Sequence, residues 1–129
     1  MKQIIKTVLL FGAAVGVVGA QPTPTVIDTD AVPWDNGPAD GITLKRFNGN
    51  LARINIVRWE RGTHVASHTH ATEQIILVQS GRYRVTLDNE VHVLEAGDLM
   101  VFASFAPHGI EALDDSAHIA VFAPASLPD

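Results

Sequence analysis

The sequence has no cysteine among its 129 residues, which excludes disulfide bonds and thiolate metal ligands. Any metal site must use histidine, carboxylate, amide or water ligands, and the fold must be stabilised by its hydrophobic core. The sequence also lacks a run of ten or more residues with helical periodicity, and it contains no internal repeat. A fold built mainly from helices is therefore not expected.

The N-terminal segment has a composition of its own. Residues 1–20, "MKQIIKTVLLFGAAVGVVGA", have the layout of a secretory signal peptide: two lysines, an uncharged apolar run over residues 8–18, and the small residues Gly19 and Ala20. We expect cleavage after Ala20 and export to the periplasm or the medium. The alternative is an uncleaved membrane anchor, but the apolar run is short for a membrane-spanning helix.

Positive charge is scarce in the remainder of the chain. Without the two lysines of the first segment, seven basic and fourteen acidic residues remain, which gives a formal charge of 7 − 14 = −7. This balance disfavours nucleic acid and anionic membrane surfaces as partners. A small-molecule ligand or substrate is the expected partner.

The mature chain divides into an arm and a domain. Residues 21–40 hold four of the seven prolines and are expected to form an extended arm, with Trp34 packed against the domain. Residues 41–129 show short segments of strand character separated by turn signals, which predicts an antiparallel all-β barrel. The predicted strands are ITLKRF, LARINIVRWE, HVASHTH, QIILVQ, RYRVTLD, EVHVLE, LMVFA, PHGIEAL and HIAVFA.

Three of the six histidines lie within the segment "HVASHTH". In an extended strand His68 and His70 project from the same face, so their two imidazoles can share one metal ion. His64 has the same parity but lies further along the chain. A pair of this kind is a weak signal when it stands alone.

The surrounding register strengthens that signal. Gly62 is followed after five residues by His68, then by His70, by Gln74 after three residues and by Gly81 after six. This spacing resembles the first motif of the cupin superfamily, which has glutamate where this chain has Gln74. The resemblance extends over residues 41–123 and implies an antiparallel jelly-roll β-barrel with a metal site.

A second cupin motif is present in a degenerate form. Gly97 and Asp98 match its start, and His108 matches its histidine. Ala103 and Phe105 stand where the family has proline and glycine. The resemblance implies that the metal ligands are His68, His70, Gln74 and His108.

Position 74 has an adjacent alternative in Glu73. Only one of the two side chains can face inward from a strand, and the six-residue spacing to Gly81 selects Gln74. Three neutral imidazoles and a neutral amide suit Fe, Ni, Cu, Zn or Mn better than Ca or Mg. Glu73 and His64 are then the only local candidates for acid–base catalysis, although a loop histidine is the favoured interpretation of His64.

The other polar residues are less informative. His92 is expected to face solvent because Val91 and Val93 have the opposite parity, and His118 is interpreted as structural. Tyr83 and Arg84 lie on opposite faces of one strand. The pair Arg53 and Asn55 either lines the pocket, where it would suit an anionic or hydroxylated substrate, or lies on a solvated outer face.

Two functions remain open at this stage. The first is a metal-dependent enzyme of the dioxygenase, isomerase or lyase type acting on a small oxygenated molecule. The second is a binding module for a small ligand such as a sugar or an organic acid. Small cupins that act on sugar acids often have an acid in the last strand and a following arginine. Ala120 stands near the first place, and no arginine follows Pro124. We also expect that a homodimer can form.

Overall fold

The computed structural model describes residues 23–128, so the predicted signal peptide and its cleavage point lie outside the described residues. Within this range the chain forms one short 3₁₀ helix, η1 (Thr29–Ala31), and ten strands. The strands are β1 Asp35–Asn36, β2 Ile42–Asn48, β3 Arg53–Trp59, β4 His64–His68, β5 Glu73–Ser80, β6 Arg82–Thr86, β7 Val91–Glu95, β8 Leu99–Phe102, β9 His108–Ala112 and β10 Ser116–Ala123.

The all-β class predicted from the sequence is confirmed, and all nine predicted strands are present. The strands form two antiparallel sheets, one of six strands in the order β1-β2-β3-β10-β5-β8 and one of four in the order β4-β9-β6-β7. The two sheets enclose the core between their inner faces, which is a jelly-roll barrel. None of the helices in residues 23–128 is long and apolar enough to cross a membrane.

The sheet begins before the predicted domain boundary at residue 41. Strand β1 pairs with β2, with Asp35 opposite Leu44, and the compact unit starts at Pro33. Trp34 lies close to two cations of β2 and β3: the guanidinium carbon of Arg58 is 3.9 Å from its ring centroid and Nζ of Lys45 is 4.8 Å away. These cation–π contacts hold the start of the unit against the outer face of the sheet.

Alternation along the strands places one side chain in two inside the barrel. Tyr83 points inward and is fully enclosed, and its ring meets Trp59 edge-to-face with centroids 5.7 Å apart. Arg84 points outward and forms an ion pair with Glu111 at 2.6 Å. The buried apolar core consists of Ile42, Leu44, Val57, Trp59, Ile76, Val78, Tyr83, Val85, Leu94, Phe102, Ile110, Ala112, Ala120 and Phe122.

The turn between β5 and β6 depends on Gly81. Its φ of 72° lies in the left-handed region that favours glycine. A Cβ at this position would also collide with the side chain of Ser116 and the carbonyl oxygen of Asp115. Glycine therefore allows the turn to lie against the segment that leads into β10.

The parity argument for His92 is wrong, although its side chain is 43% exposed and lies 3.0 Å from the carboxylate of Glu90. Val91 and Val93 are 61% and 50% exposed, whereas His92 lies on the face opposite theirs and across from the enclosed Val85. The register of β7 is set by Leu94, which has the same parity as His92 and packs into the core. One well-packed leucine therefore outweighs two valines in deciding which face turns inward.

Candidate metal centre

Three imidazoles converge at one end of the barrel. His68 ends β4 and lies directly opposite His108, the first residue of β9, because these strands are neighbours in the four-stranded sheet. His70 lies in the turn that follows β4 rather than on the strand itself. The potential ligand atoms of the three side chains all lie within 4.8 Å of one another. The structure thus brings together the three histidines that the sequence selected.

The orientation of each ring is fixed by its own backbone. In all three histidines Nδ1 lies within hydrogen-bond distance of a carbonyl oxygen two residues away. The pairs are His68 with Ala66 at 2.9 Å, His70 with Thr72 at 2.8 Å and His108 with Ala106 at 2.8 Å. A carbonyl can only accept, so each Nδ1 carries the proton and each Nε2 keeps its lone pair. This is the tautomer in which histidine binds a metal through Nε2.

His108 is the most deeply enclosed of the three. It is 0% exposed, and its ring stacks on Phe102 at a centroid distance of 4.2 Å. Burial lowers the pKa of His108, which keeps the imidazole neutral. Its Nε2 is enclosed and has no hydrogen-bond partner among the described residues. A buried lone pair without a donor beside two further imidazoles fits a metal ion.

Gln74 faces the same centre from the opposite sheet. It is buried on the inner face of β5, and its Oε1 lies 2.9 Å from Nε2 of His70. Because Nδ1 of His70 holds the proton, both facing atoms carry lone pairs in this arrangement. A cation bound between them would remove the repulsion, so the donor set of three imidazole nitrogens and one amide oxygen suits a transition metal.

The two acid–base candidates lie elsewhere. Glu73 is exposed on the outer face of β5, opposite Ala123, as strand alternation requires of the neighbour of Gln74. His64 is exposed at the start of β4, opposite Glu111. Neither side chain lines the cavity that opens from the three histidines.

That cavity has a volume of about 490 Å³ and reaches from the histidines into the barrel. Asn55, only 4% exposed, lines it from β3, which places the Arg53 and Asn55 face inside rather than on a solvated surface. Arg46 is the one Lys, Arg, Asp or Glu side chain among the described residues of the wall. The remaining wall is mainly apolar, formed by Pro38, Ile42, Leu44, Val57, Trp59, Val65, Ile110, Ala120 and Phe122.

Sequence reasoning did not identify His118 as part of this cavity. It is 3% exposed, lines the wall, and its Nδ1 lies 2.9 Å from the hydroxyl of Tyr83. Burial raises the pKa of Tyr83 well above its usual range and lowers that of His118 to about 4. Strand parity could have indicated this position. His118 and Phe122 lie on the same, buried face of β10, whereas Val121 lies on the other face and is half-buried.

The chain was compared with known proteins. Residues 55–123 match the model of the cupin domain family. Among solved structures, KdgF from Halomonas sp. is 31% identical, with a TM-score of 0.69 over 74% of this chain and 90% of that protein. An RmlC-like cupin from Shewanella frigidimarina is 19% identical, with a TM-score of 0.73 over 81% of this chain and 94% of its own.

A domain of a larger protein has a similar fold. Salicylate 1,2-dioxygenase from Pseudoaminobacter salicylatoxidans, in a complex with gentisate, is 21% identical with a TM-score of 0.64. The match covers 68% of this chain and 26% of the dioxygenase. No curated protein sequence matches significantly. The family match spans more than half of the chain and includes His68, His70, Gln74 and His108, so the chain belongs to the cupin domain family.

Proposed function

We propose that this cupin is a metal-dependent enzyme that acts on a small oxygenated molecule in the 490 Å³ cavity. The ligands would be Nε2 of His68, His70 and His108 together with Oε1 of Gln74. The metal would be a divalent transition ion: Fe, Ni, Cu, Zn or Mn. The observation that carries the proposal is the fixed tautomer of all three histidines, which turns three lone pairs toward one point.

A metal bound by four neutral ligands would keep its full positive charge and act as a strong Lewis acid or, if redox-active, as a redox centre. The chain's own residues would bind and orient the substrate. The apolar wall, including Leu44 and Val57, would exclude water, and Arg46 would attract a negatively charged group. Because Glu73 and His64 lie outside the wall, we assign neither a catalytic role.

A binding module without turnover is the second candidate. One observation favours it: the described wall of the cavity contains no aspartate or glutamate that could act as a general base. Such a module would use the same metal and the same cavity to hold a small ligand.

Metal analysis of the purified protein tests the metal centre, which both the enzyme and the binding module require. We expect one transition metal per chain, and His108→Ala should abolish stoichiometric binding whereas His92→Ala, a histidine of β7, should not. Equal metal content in both variants would refute the site. Oxygen uptake and product analysis with catechols, enols and sugar acids would then separate an enzyme from a binding module.

We also propose that the protein is exported and cleaved after Ala20. The support is the charge and hydropathy pattern of residues 1–20. N-terminal sequencing of protein recovered from the periplasm should give Gln21 as the first residue. A mature protein that starts at Met1 would contradict cleavage.

A homodimer is the last part of the proposal. The outer face of the six-stranded sheet carries two rows of four aliphatic side chains, one from each of β3, β10, β5 and β8. Paired in register, the rows are Ile56, Ile119, Leu77, Leu99 and Ile54, Val121, Ile75, Val101. Leu99 and Val101 are 58% and 52% exposed, and contiguous exposed aliphatic surface often marks a protein–protein contact.

We expect a second copy to cover these rows by face-to-face packing of the two sheets. Light scattering after size exclusion should give the mass of a dimer. Val101→Glu should give a monomer, and the matched change Val93→Glu on the other sheet should leave the dimer intact. A monomeric natural protein, or equal effects of both changes, would refute this interface.

A further inference from the structure

A second polar group lies in the cavity wall, away from the three metal-binding histidines. His118 on β10 lines the cavity and meets the hydroxyl of Tyr83 at 2.9 Å. Tyr83 is 0% exposed, and within residues 23–128 its hydroxyl has His118 as its only hydrogen-bond partner. The function proposed above makes no use of this pair.

The pair fixes the tautomer of His118. Nδ1 of His118 is the only acceptor within reach of the Tyr83 hydroxyl among the described residues, so the hydroxyl donates its proton to Nδ1. In the other tautomer this buried hydroxyl would donate no hydrogen bond. His118 then carries its own proton on Nε2. Its low pKa, a consequence of burial, keeps the ring neutral at pH 7. Nε2 forms no hydrogen bond with any other described residue, so its N–H remains available as a donor.

The position of His118 sets a minimum length for a ligand that binds the metal and also accepts a hydrogen bond from Nε2–H of His118. Phe122, four residues further along β10, pairs with Gln74 and packs against His70, with ring centroids 5.8 Å apart. Four residues of strand correspond to about 13 Å. A ligand that meets both the metal and His118 must therefore be ring-sized rather than a two- or three-carbon acid.

The wall between the two ends has both apolar and polar members. Val57 lies opposite His118, whereas Asn55 lies opposite Ala120, which is between His118 and Phe122 on β10. Oδ1 of Asn55 is buried and has no hydrogen-bond partner among the described residues, so it can accept a hydrogen bond from the body of a ligand.

We propose that His118, held in place by Tyr83, is a specificity-determining donor that binds an oxygen of the ligand remote from its metal-binding oxygen. The ligand class is a ring-sized compound with a metal-binding oxygen function at one end and a hydrogen-bond acceptor at the other. This inference rests on the proposed metal centre and adds the chemistry of the opposite end.

Calorimetric titration of zinc-loaded protein tests the inference with two probes of equal shape. 4-Acetylbenzoate carries an acceptor carbonyl where 4-isopropylbenzoate carries a methyl group. We expect the natural protein to bind the acetyl compound about tenfold more tightly, since the second probe leaves the Nε2–H unsatisfied.

Variants identify the residue responsible. His118→Leu should bind both benzoates equally, whereas His118→Gln, which keeps an N–H donor, should retain part of the preference. Tyr83→Phe should reduce the preference because Nδ1 of His118 can then hold the proton. The Gln and Phe variants keep the test valid if the leucine variant fails to fold.

Two outcomes would overturn the inference: equal affinity of the natural protein for both benzoates, or a preference that survives His118→Leu. A prior zinc titration separates the two levels of the argument. Failure of the natural protein to bind zinc would remove the metal centre and this inference together. Zinc binding without discrimination between the probes would remove this inference alone.

Discussion

Nε2 of His70 and Oε1 of Gln74 lie 2.9 Å apart, and both atoms present lone pairs when Nδ1 of His70 donates to the carbonyl of Thr72. A cation that binds both atoms would use these two lone pairs. The arrangement therefore links the sequence motif, in which glutamine replaces the family's glutamate, to two neighbouring ligand atoms that suit a metal. It also shows why the neighbouring Glu73 cannot serve, because strand alternation turns that side chain outward.

Substitutions of Gln74 should change metal affinity in opposite directions. Gln74→Leu removes an oxygen donor and should raise the dissociation constant for zinc roughly tenfold or more. Gln74→Glu adds a negative charge beside the metal and should lower it. Competition with a chromophoric chelator measures both constants. Glu73→Gln is the matched control on the outer face, and an equal effect of that change would contradict Gln74 as the ligand.

The stability of the protein should depend on His118 between pH 4 and pH 6.5. Burial lowers the pKa of this group from 6.5 to about 4, so the unfolded chain binds more protons in this window and stability falls as the pH falls. Burial of the neutral His118 costs no stability above pH 6.5, where the unfolded chain is also neutral, and the loss reaches about 3 kcal/mol at pH 4.

Urea unfolding of the natural protein and of His118→Gln at several pH values measures that contribution as the difference between two curves. The guanidinium of Arg46 at the cavity wall and every other ionisable side chain are common to both proteins. Trp59 and Tyr83, whose rings lie close to His118, are likewise unchanged. Parallel curves from pH 7 to pH 4 would contradict the prediction.

Removal of the Tyr83 hydroxyl should destabilise the fold. Tyr83→Phe leaves the buried Nδ1 of His118 without its partner, which should cost about 1–3 kcal/mol in the free energy of unfolding. The double variant with His118→Leu should cost less than the sum of the single changes, because the second change removes the unsatisfied nitrogen. Additivity within about 0.5 kcal/mol would show that the two groups do not interact.

Two glycines of the first motif should respond differently to alanine. Gly81→Ala combines an unfavourable φ with a collision at Ser116 and should destabilise the protein by about 2–4 kcal/mol. Gly62 has a similar φ of 84° but nothing within 4 Å of a Cβ, so Gly62→Ala should cost only about 1 kcal/mol. Thermal or urea unfolding of both variants measures the difference, and equal losses would mean that the collision is relieved by small shifts.

The sequence by itself determined the class of the fold and selected the residues of the candidate metal centre. Strand alternation and turn glycines are local properties, so nine strands could be assigned without tertiary information. The spacing of His68, His70, Gln74 and His108 is also local within each motif. The fold brings these four side chains together because they lie at or next to strand ends where the two motifs meet.

Tertiary structure decided which strand faces point inward and what shares the cavity. Alternation defines two faces of a strand but does not identify the buried one, so His92 was assigned to the wrong face and Asn55 could not be assigned. The approach of His118 to Tyr83 joins residues 35 positions apart on different sheets. Only the packing of the two sheets brings the two side chains together. The local sequence of β6 or of β10 does not indicate which residue of the other strand lies opposite.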